Sequence, residues 1–365
     1  MANVFDYLKW RGDISFSESG LNEIDALIFS EILYASFDDF VSPSITAKGI
    51  PLSAISDKFF SLHYDRNKIG AIIPTDDIFR LLKVAGESRR FGSVTVKGFI
   101  NEVDISSQKQ FCAVCYEIGK NSIVVAYRGT DDTIIGWKED LNMAFFTPIP
   151  AQKHAMEYLQ NVACATGKEH IFVCGHSKGG NLAAYSSLTV EKSVQEKIEA
   201  VYNFDGPGFL KAFVEKHRNN PIIPKLHKVM PQGSIIGAIF NSVEKCKYVK
   251  STAKGLYQHD AFSWQLLGKS FEVVDKPSKA SSDFHTILDS WVENMTHAER
   301  VAFVDALYKL LTVNDSTTLS DIVSDKFKFV LGILKTDEKT KKTFISSLNR
   351  LVKERFKKEN NPKKK

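Results

Sequence analysis

The chain predicts an α/β architecture: a mostly parallel central sheet with helices on both faces, extended at each end by further helices. Three observations carry that prediction. In the middle of the chain, short β-rich runs alternate with amphipathic helices, the pattern that feeds parallel strands through helical crossovers. The two ends instead repeat apolar residues at three- and four-residue spacing, the period of a helix with one buried face. One connection, Gly175-His176-Ser177-Lys178-Gly179, joins an apolar run to an alanine- and leucine-rich stretch through a turn with glycine on both sides of a serine.

Taken in order, residues 1–90 read as mostly helical, with helices expected within 21–41 and 75–92. Thr75 is placed to cap the second of these and Gly86 lies near its end. Three β-rich runs follow, within 94–104, 109–119 and 122–130, separated by turn-forming residues. A helix over 151–167 leads into Ile171, Phe172 and Val173, a short buried strand, and Asn181 to Leu188 reads as the next helix. Strands are expected within 198–208 and 226–237, and the last β-like piece within 247–268. From about residue 283 the pattern is helical again, with 312–321 as its best internal loop. The expected division is a helical region over 1–90, an α/β core over 91–282, a helical region over 283–355 and a basic tail over 356–365.

At 365 residues the chain is long enough for a large core, and 43% apolar with 25% charged residues is the balance of a soluble globular protein. The net charge of +5 is concentrated in the C-terminal KERFKKENNPKKK. A lysine run of this kind reads as a solvated, frayed end rather than a nucleic-acid or membrane contact. Five scattered cysteines, Cys112, Cys115, Cys164, Cys174 and Cys246, argue for reduced thiols and a cytoplasmic setting. Cys112 and Cys115 form a C-x-x-C within a strand pattern, with no second Cys or His pair beside it, so buried strand cysteines are expected rather than a zinc site. The charged start MANVFDYLKWRGD is not a signal peptide, and no run reaches the length of a membrane span.

The Gly-x-Ser-x-Gly turn between a strand and a helix is the pattern of a nucleophile elbow, which predicts an α/β-hydrolase fold. Such a turn lifts the serine hydroxyl above the sheet, and side chains two residues away on either side would collide with the neighbouring backbone. A serine used in this way needs a base, a carboxylate to orient the base, and donors for the oxyanion. In this fold the acid and then the histidine follow the serine along the chain. His217 sits at an exposed helix end, His227 at the start of a strand, and His285 and His297 in the terminal helices. His259, in an aromatic-rich loop after the last β-like segment, is the candidate base. Asp205, in a Gly- and Pro-rich turn after the strand that follows the elbow helix, is the candidate acid; Asp260 adjoins the ring it would have to orient, and Asp275 comes too late. The backbone amide of Lys178 and that of Thr130, in the turn after the strand ending at Tyr127, are the candidate oxyanion donors, with the Thr130 hydroxyl able to help.

Residues YRGTDDTIIGWKEDL and GHSKGGNLA resemble the lipase class 3 (fungal-type triacylglycerol lipase) family. The likeness runs through Arg128, Gly129, Thr130, Trp137, Asp140, Leu141 and Gly175 to Gly180, and covers roughly residues 90–265. The whole chain, with its helical ends, more closely resembles a bacterial family of lipase-like proteins. The resemblance implies Ser177 as nucleophile, His259 as base, and Thr130 with Lys178 lining the oxyanion hole. Two positions depart from the family. Leucine is usual where Lys178 stands, and a charged side chain there is expected near the mouth of the site. The family's acid follows the next strand, in a stretch that here reads VMPQGSIIG and holds no carboxylate.

The expected activity is hydrolysis of a carboxylic ester through a Ser177–His259–Asp205 triad and an acyl-enzyme. No metal or organic cofactor is implied, and the expected partner is a small-molecule or lipid ester rather than nucleic acid. The competing readings are a ligand- or partner-binding protein on the same fold that has lost catalysis, and a thioesterase or peptidase. Residues 208–224 or the helical ends are candidates for a lid or for plain packing.

Overall fold

The computed structural model describes residues 2–62, 75–131, 134–143, 146–312 and 336–360. The expected loop at 312–321 lies, apart from Thr312, outside them. Among the described residues the N-terminal part holds α1 (Val4–Arg11), α2 (Glu23–Ile32), α3 (Leu52–Ser61), α4 (Thr75–Glu87) and α5 (Arg89–Gly92). The first two start where the sequence supplies an asparagine cap and an aspartate three residues on. Asn3 with Asp6 and Asn22 with Asp25 form reciprocal capping boxes. Helix α2 stops at Ile32 in a 3-10 turn, Leu33–Ala35, well before the end of the periodic stretch.

The core is one nine-stranded sheet in the order β1-β2-β3-β4-β5-β6-β7-β8-β11. Strands β1 (Ile50–Pro51), β2 (Thr95–Asp104), β3 (Lys109–Glu117) and β4 (Ser122–Tyr127) pair antiparallel. From β4 onward the pairing is parallel through β5 (His170–His176), β6 (Ile198–Phe204), β7 (Leu226–Pro231) and β8 (Cys246–Val249). The expected parallel sheet is therefore parallel in its central five strands and antiparallel at its margins. Two short strands, β9 (Leu266–Leu267) and β10 (Ser270–Phe271), form a separate ribbon, and β11 (Val273–Val274) closes the edge against β8. Strand β8 is thus not the last, because β11 follows His259 along the chain.

Alternation along the strands sorts side chains between two layers. Cys112, Val114 and Tyr116 join the N-terminal helices in one cluster, whereas Phe111, Ala113 and Cys115 face the other way. The second layer holds α7 (Pro150–Thr166) and α8 (Lys178–Thr189). The cysteines of the C-x-x-C are buried free thiols on opposite faces of the sheet. Helix α6 (Ile134–Met143) follows β4; α9 (Lys192–Lys197) and α10 (Lys211–His217) flank β6. Phe213 of α10 stacks on Tyr185 of α8, so this part of the candidate lid 208–224 is packed against the core.

The C-terminal helices α11 (Lys279–Glu293), α12 (His297–Thr312) and α13 (Glu338–Asn360) form a third cluster around Trp291, Phe303 and Phe240. Helix α13 reaches Asn360, so 356–360 are helix rather than tail; 361–365 lie outside the described residues. Among the described residues no helix is long and apolar enough to cross a membrane.

Candidate functional site

The turn between β5 and α8 puts Ser177 at φ 57° and ψ −130°, a conformation costly for a residue with a Cβ and found where the surroundings over-determine it. The flanking glycines explain how it closes. A Cβ on Gly175 would lie 2.2 Å from the Gly179 carbonyl oxygen, and one on Gly179 would lie 2.1 Å from that of Tyr127. The Ser177 amide donates to the Phe204 carbonyl at 2.9 Å, which ties the turn to the end of β6. The Lys178 amide belongs to the first turn of α8, where N–H groups have no intrahelical acceptor and the helix dipole favours negative charge.

Asp205 follows directly on β6 and is fully buried at φ 50°, a region that aspartate tolerates better than most residues. Its Oδ2 lies 2.7 Å from Nδ1 of His259, and its Oδ1 accepts from the Ser234 hydroxyl at 2.5 Å. His259 ends a 3-10 turn, Gly255–His259, rather than lying in an open loop. Two bonds hold that turn: the Trp264 indole N–H donates to the Gln258 carbonyl at 2.8 Å, and the Gly233 amide donates to the Gln258 side chain at 3.1 Å. The His259 ring stacks on His176 with centroids 4.5 Å apart, and Nε2 of His176 lies 3.0 Å from the His259 carbonyl oxygen. Histidine and aspartate are therefore hydrogen-bonded partners, each seated beside a residue bonded or joined to Ser177.

The turn after β4 comes close to Ser177 from the other side. A Cβ on Gly129 would lie 2.8 Å from the His176 carbonyl oxygen and 3.0 Å from Ser177 Cβ. Thr130 stands next to it, its hydroxyl donating to Asp140 Oδ2 at 2.6 Å. That hydroxyl is thus engaged with α6, which leaves the amide as the group Thr130 can offer. Arg128 is buried and donates to Asn101 at 3.0 Å. Trp137 and Leu141 lie on α6, but their side chains are outside the described residues.

The sequence comparison matches residues 85–309 to the Mbeg1-like family model, well over half of the chain. The chain belongs to the Mbeg1-like family. Among curated proteins none matches it. Among solved structures it is similar to a mutant form of MDLA from Penicillium cyclopium, at 12% identity and a TM-score of 0.36, over 75% of this chain and 96% of that one. At that distance the likeness says nothing of the site. The mixed sheet with helices on both faces is consistent with an α/β-hydrolase fold, and the family match makes the relationship loosely lipase-like.

In this Mbeg1-like chain the expectation for the Lys178 side chain is overturned. The Lys178 side chain does not face the mouth of the site. It is buried, and its Nζ donates to Glu139 Oε2 at 3.0 Å and to the Gln110 carbonyl at 3.0 Å. An ammonium cannot be left unpaired in the interior, and Glu139 is built to receive it: the Gln110 and Ala151 amides also donate to its carboxylate, each at 3.0 Å. Asp140 beside it keeps Oδ1 buried without a partner, and burial raises its carboxyl to about 6, against the opposing pull of Lys178.

Three polar residues at the site escaped the sequence reading. Ser234 stands in the stretch after β7 where the resemblance places an acid; it bridges Asp205 to the Gly237 amide, which donates to its hydroxyl at 2.9 Å. The missing carboxylate was visible in the sequence, but its replacement by a hydroxyl partner was not. Glu31 and Tyr34, far upstream, gave no local signal at all. Among the described residues no group of three or more His, Cys, Asp or Glu could hold a metal ion.

Proposed function

We propose that the protein is a serine hydrolase that cleaves carboxylic esters. Ser177 attacks the ester carbonyl while its proton passes to Nε2 of His259, and Asp205 holds the ring through Nδ1. The amides of Thr130 and Lys178 receive the oxyanion. The tetrahedral intermediate collapses, the C–O bond to the alcohol breaks, and His259 returns the proton to the departing oxygen. Water then attacks the acyl-enzyme with His259 as base, releasing the carboxylic acid and restoring Ser177.

The observation that carries this reading is the 2.7 Å contact between His259 Nδ1 and the buried Asp205, behind a serine turn at positive φ. Two features weigh against the non-catalytic binder that the departures favoured. Asp205, braced by Ser234, supplies a carboxylate, and Lys178 turns inward to Glu139. A cytoplasmic setting belongs to the same reading, supported by five cysteines that are all free thiols.

Labelling with a fluorophosphonate probe tests the assignment. Wild type is expected to label and Ser177→Ala not to; equal labelling of a folded Ser177→Ala protein would overturn it. Asp205→Asn is expected to keep the fold and lower turnover by about 10⁴-fold, the scale seen when the orienting acid of a triad is neutralised. A panel of p-nitrophenyl esters of graded chain length then separates a working hydrolase from a non-catalytic binder, and turnover of thioester and peptide substrates beside it distinguishes esterase from thioesterase or peptidase.

A further inference from the structure

Helix α2 and the 3-10 turn after it lie outside the residues that match the family, yet two of their side chains reach the candidate site. Glu31 and Tyr34 are three residues apart and share one helix face. Both are buried. A Cβ on Gly129 would lie 2.2 Å from the Tyr34 hydroxyl, so this helix face abuts the oxyanion turn. Glu31 Oε1 lies 3.2 Å from Nδ1 of His176, the residue immediately before Ser177. Each of these two atoms is buried and, among the described residues, neither is aligned for a hydrogen bond with any partner, the other included.

The bond on the far side of the ring decides where the proton is. Nε2 of His176 faces the carbonyl oxygen of His259 at 3.0 Å. A carbonyl only accepts, so Nε2 carries the hydrogen. A neutral ring of this tautomer presents a lone pair at Nδ1, and a carboxylate facing it would set lone pair against lone pair. Either Glu31 keeps its proton and donates it, or the pair is an imidazolium and a carboxylate. No amide donates to Glu31 Oε1, and burying two such ions costs several kcal/mol each. Burial, with Asp260 near, holds Glu31 well above the usual carboxylate range. Burial, with His259 near, holds His176 well below its own. The charged and titratable groups facing Glu31 are His176, Tyr34 and Asp260.

We infer that Glu31 is a positioning residue of the site: as a carboxylic acid it turns its proton toward His176 Nδ1, complements the Nε2–H tautomer that the His259 carbonyl selects, and through that ring holds His259 in place. His176 grips His259 twice, by the bond to its carbonyl and by the stacked rings. Without the donor, the Nδ1 lone pair is left buried with nothing facing it, and the ring loses the contact that seats it against His259. The N-terminal helices are in this way part of the site rather than an appendage. The consequence for rate rests on the hydrolase reading above; the placement of the proton does not.

Two measurements on the full chain test this separately. In protein labelled with ¹⁵N-histidine, His176, assigned by the loss of its signals in His176→Gln, is expected as a neutral Nε2–H ring that does not titrate between about pH 5 and about pH 8, where an exposed histidine would. Glu31→Leu is expected to keep the Nε2–H ring but to move the Nδ1 ¹⁵N resonance downfield, toward a lone pair with no donor, and Glu31→Gln, whose amide also donates, to hold it at the wild-type position. In fluorophosphonate labelling, Glu31→Leu is expected to react about 10- to 100-fold more slowly, the scale of a small displacement of a reacting group, and Glu31→Gln near the wild-type rate. A wild-type His176 that is Nδ1–H or titrates in that range overturns the inference, even if Glu31→Leu fails to fold. So does a Glu31→Leu protein unchanged in both measurements, or a Glu31→Gln protein as impaired as Glu31→Leu. A wild type that never labels defeats the hydrolase reading alone, and the ¹⁵N spectra still decide the proton.

Discussion

The two residues beside Ser177 are both buried polar groups, and each faces a glutamate from a different helix. On one side Lys178 reaches Glu139 of α6; on the other His176 faces Glu31 of α2. The pairs look alike in a list of contacts and differ in their surroundings. Glu139 accepts from two backbone amides as well as from the ammonium, so its charge is met from several directions. Glu31 Oε1 faces only an imidazole nitrogen. A carboxylate with several donors stays ionised in the interior, and one without them keeps its proton. The ionic pair anchors the Lys178 side of the turn, and the pair inferred to be neutral faces the side that carries His259.

The largest expected effect that tests this contrast comes from the ionic side. Lys178→Met leaves Glu139 buried without its cation and is expected to lower stability by about 3–5 kcal/mol, read as a shift of the denaturant midpoint at constant slope. Adding Glu139→Gln is expected to recover part of the loss. A cost no larger than that of an exposed pair would mean that Lys178 does not depend on Glu139.

The neutral side should cost less. Glu31→Leu leaves His176 Nδ1 buried with no polar group facing it and is expected to destabilise by about 1–3 kcal/mol, the cost of an unsatisfied buried polar group. If it matched Lys178→Met in the same denaturation series, the two pairs would be equivalent and the contrast would fail.

The third effect is a pH dependence next to the ionic pair. Burial raises the Asp140 carboxyl from 3.8 to about 6. Between these values the folded chain holds a proton that the unfolded chain has released. Its contribution to stability is therefore complete below about pH 4 and is lost as pH rises through about 6. Asp260, also raised to about 6 by burial, acts in the same direction. Asp140→Asn is expected to flatten only its own share, seen as a smaller fall in melting temperature across this window than in wild type. A parallel pair of curves would remove Asp140 as a contributor.

How far the site could be read in advance depended on how local its parts are. The elbow was legible because its requirement is steric and lies within five residues, Gly175 to Gly179. The alternation of β3 was legible for the same reason, since successive side chains must face opposite layers. His259 and Asp205 could be named from chain order, but their contact joins positions 54 residues apart. Strand β11 was missed because two residues of edge pairing leave almost no pattern.

By itself, then, the sequence determined the α/β layering, the strained serine turn and the residues able to surround it, because backbone sterics and periodic burial act between near neighbours. Only the tertiary structure decided that Lys178 points inward, that Ser234 braces Asp205, and that a helix some 145 residues upstream of Ser177 sets Glu31 against His176. The ionisation of a buried group depends on how many donors the packed fold aims at it, and no stretch of sequence encodes that number.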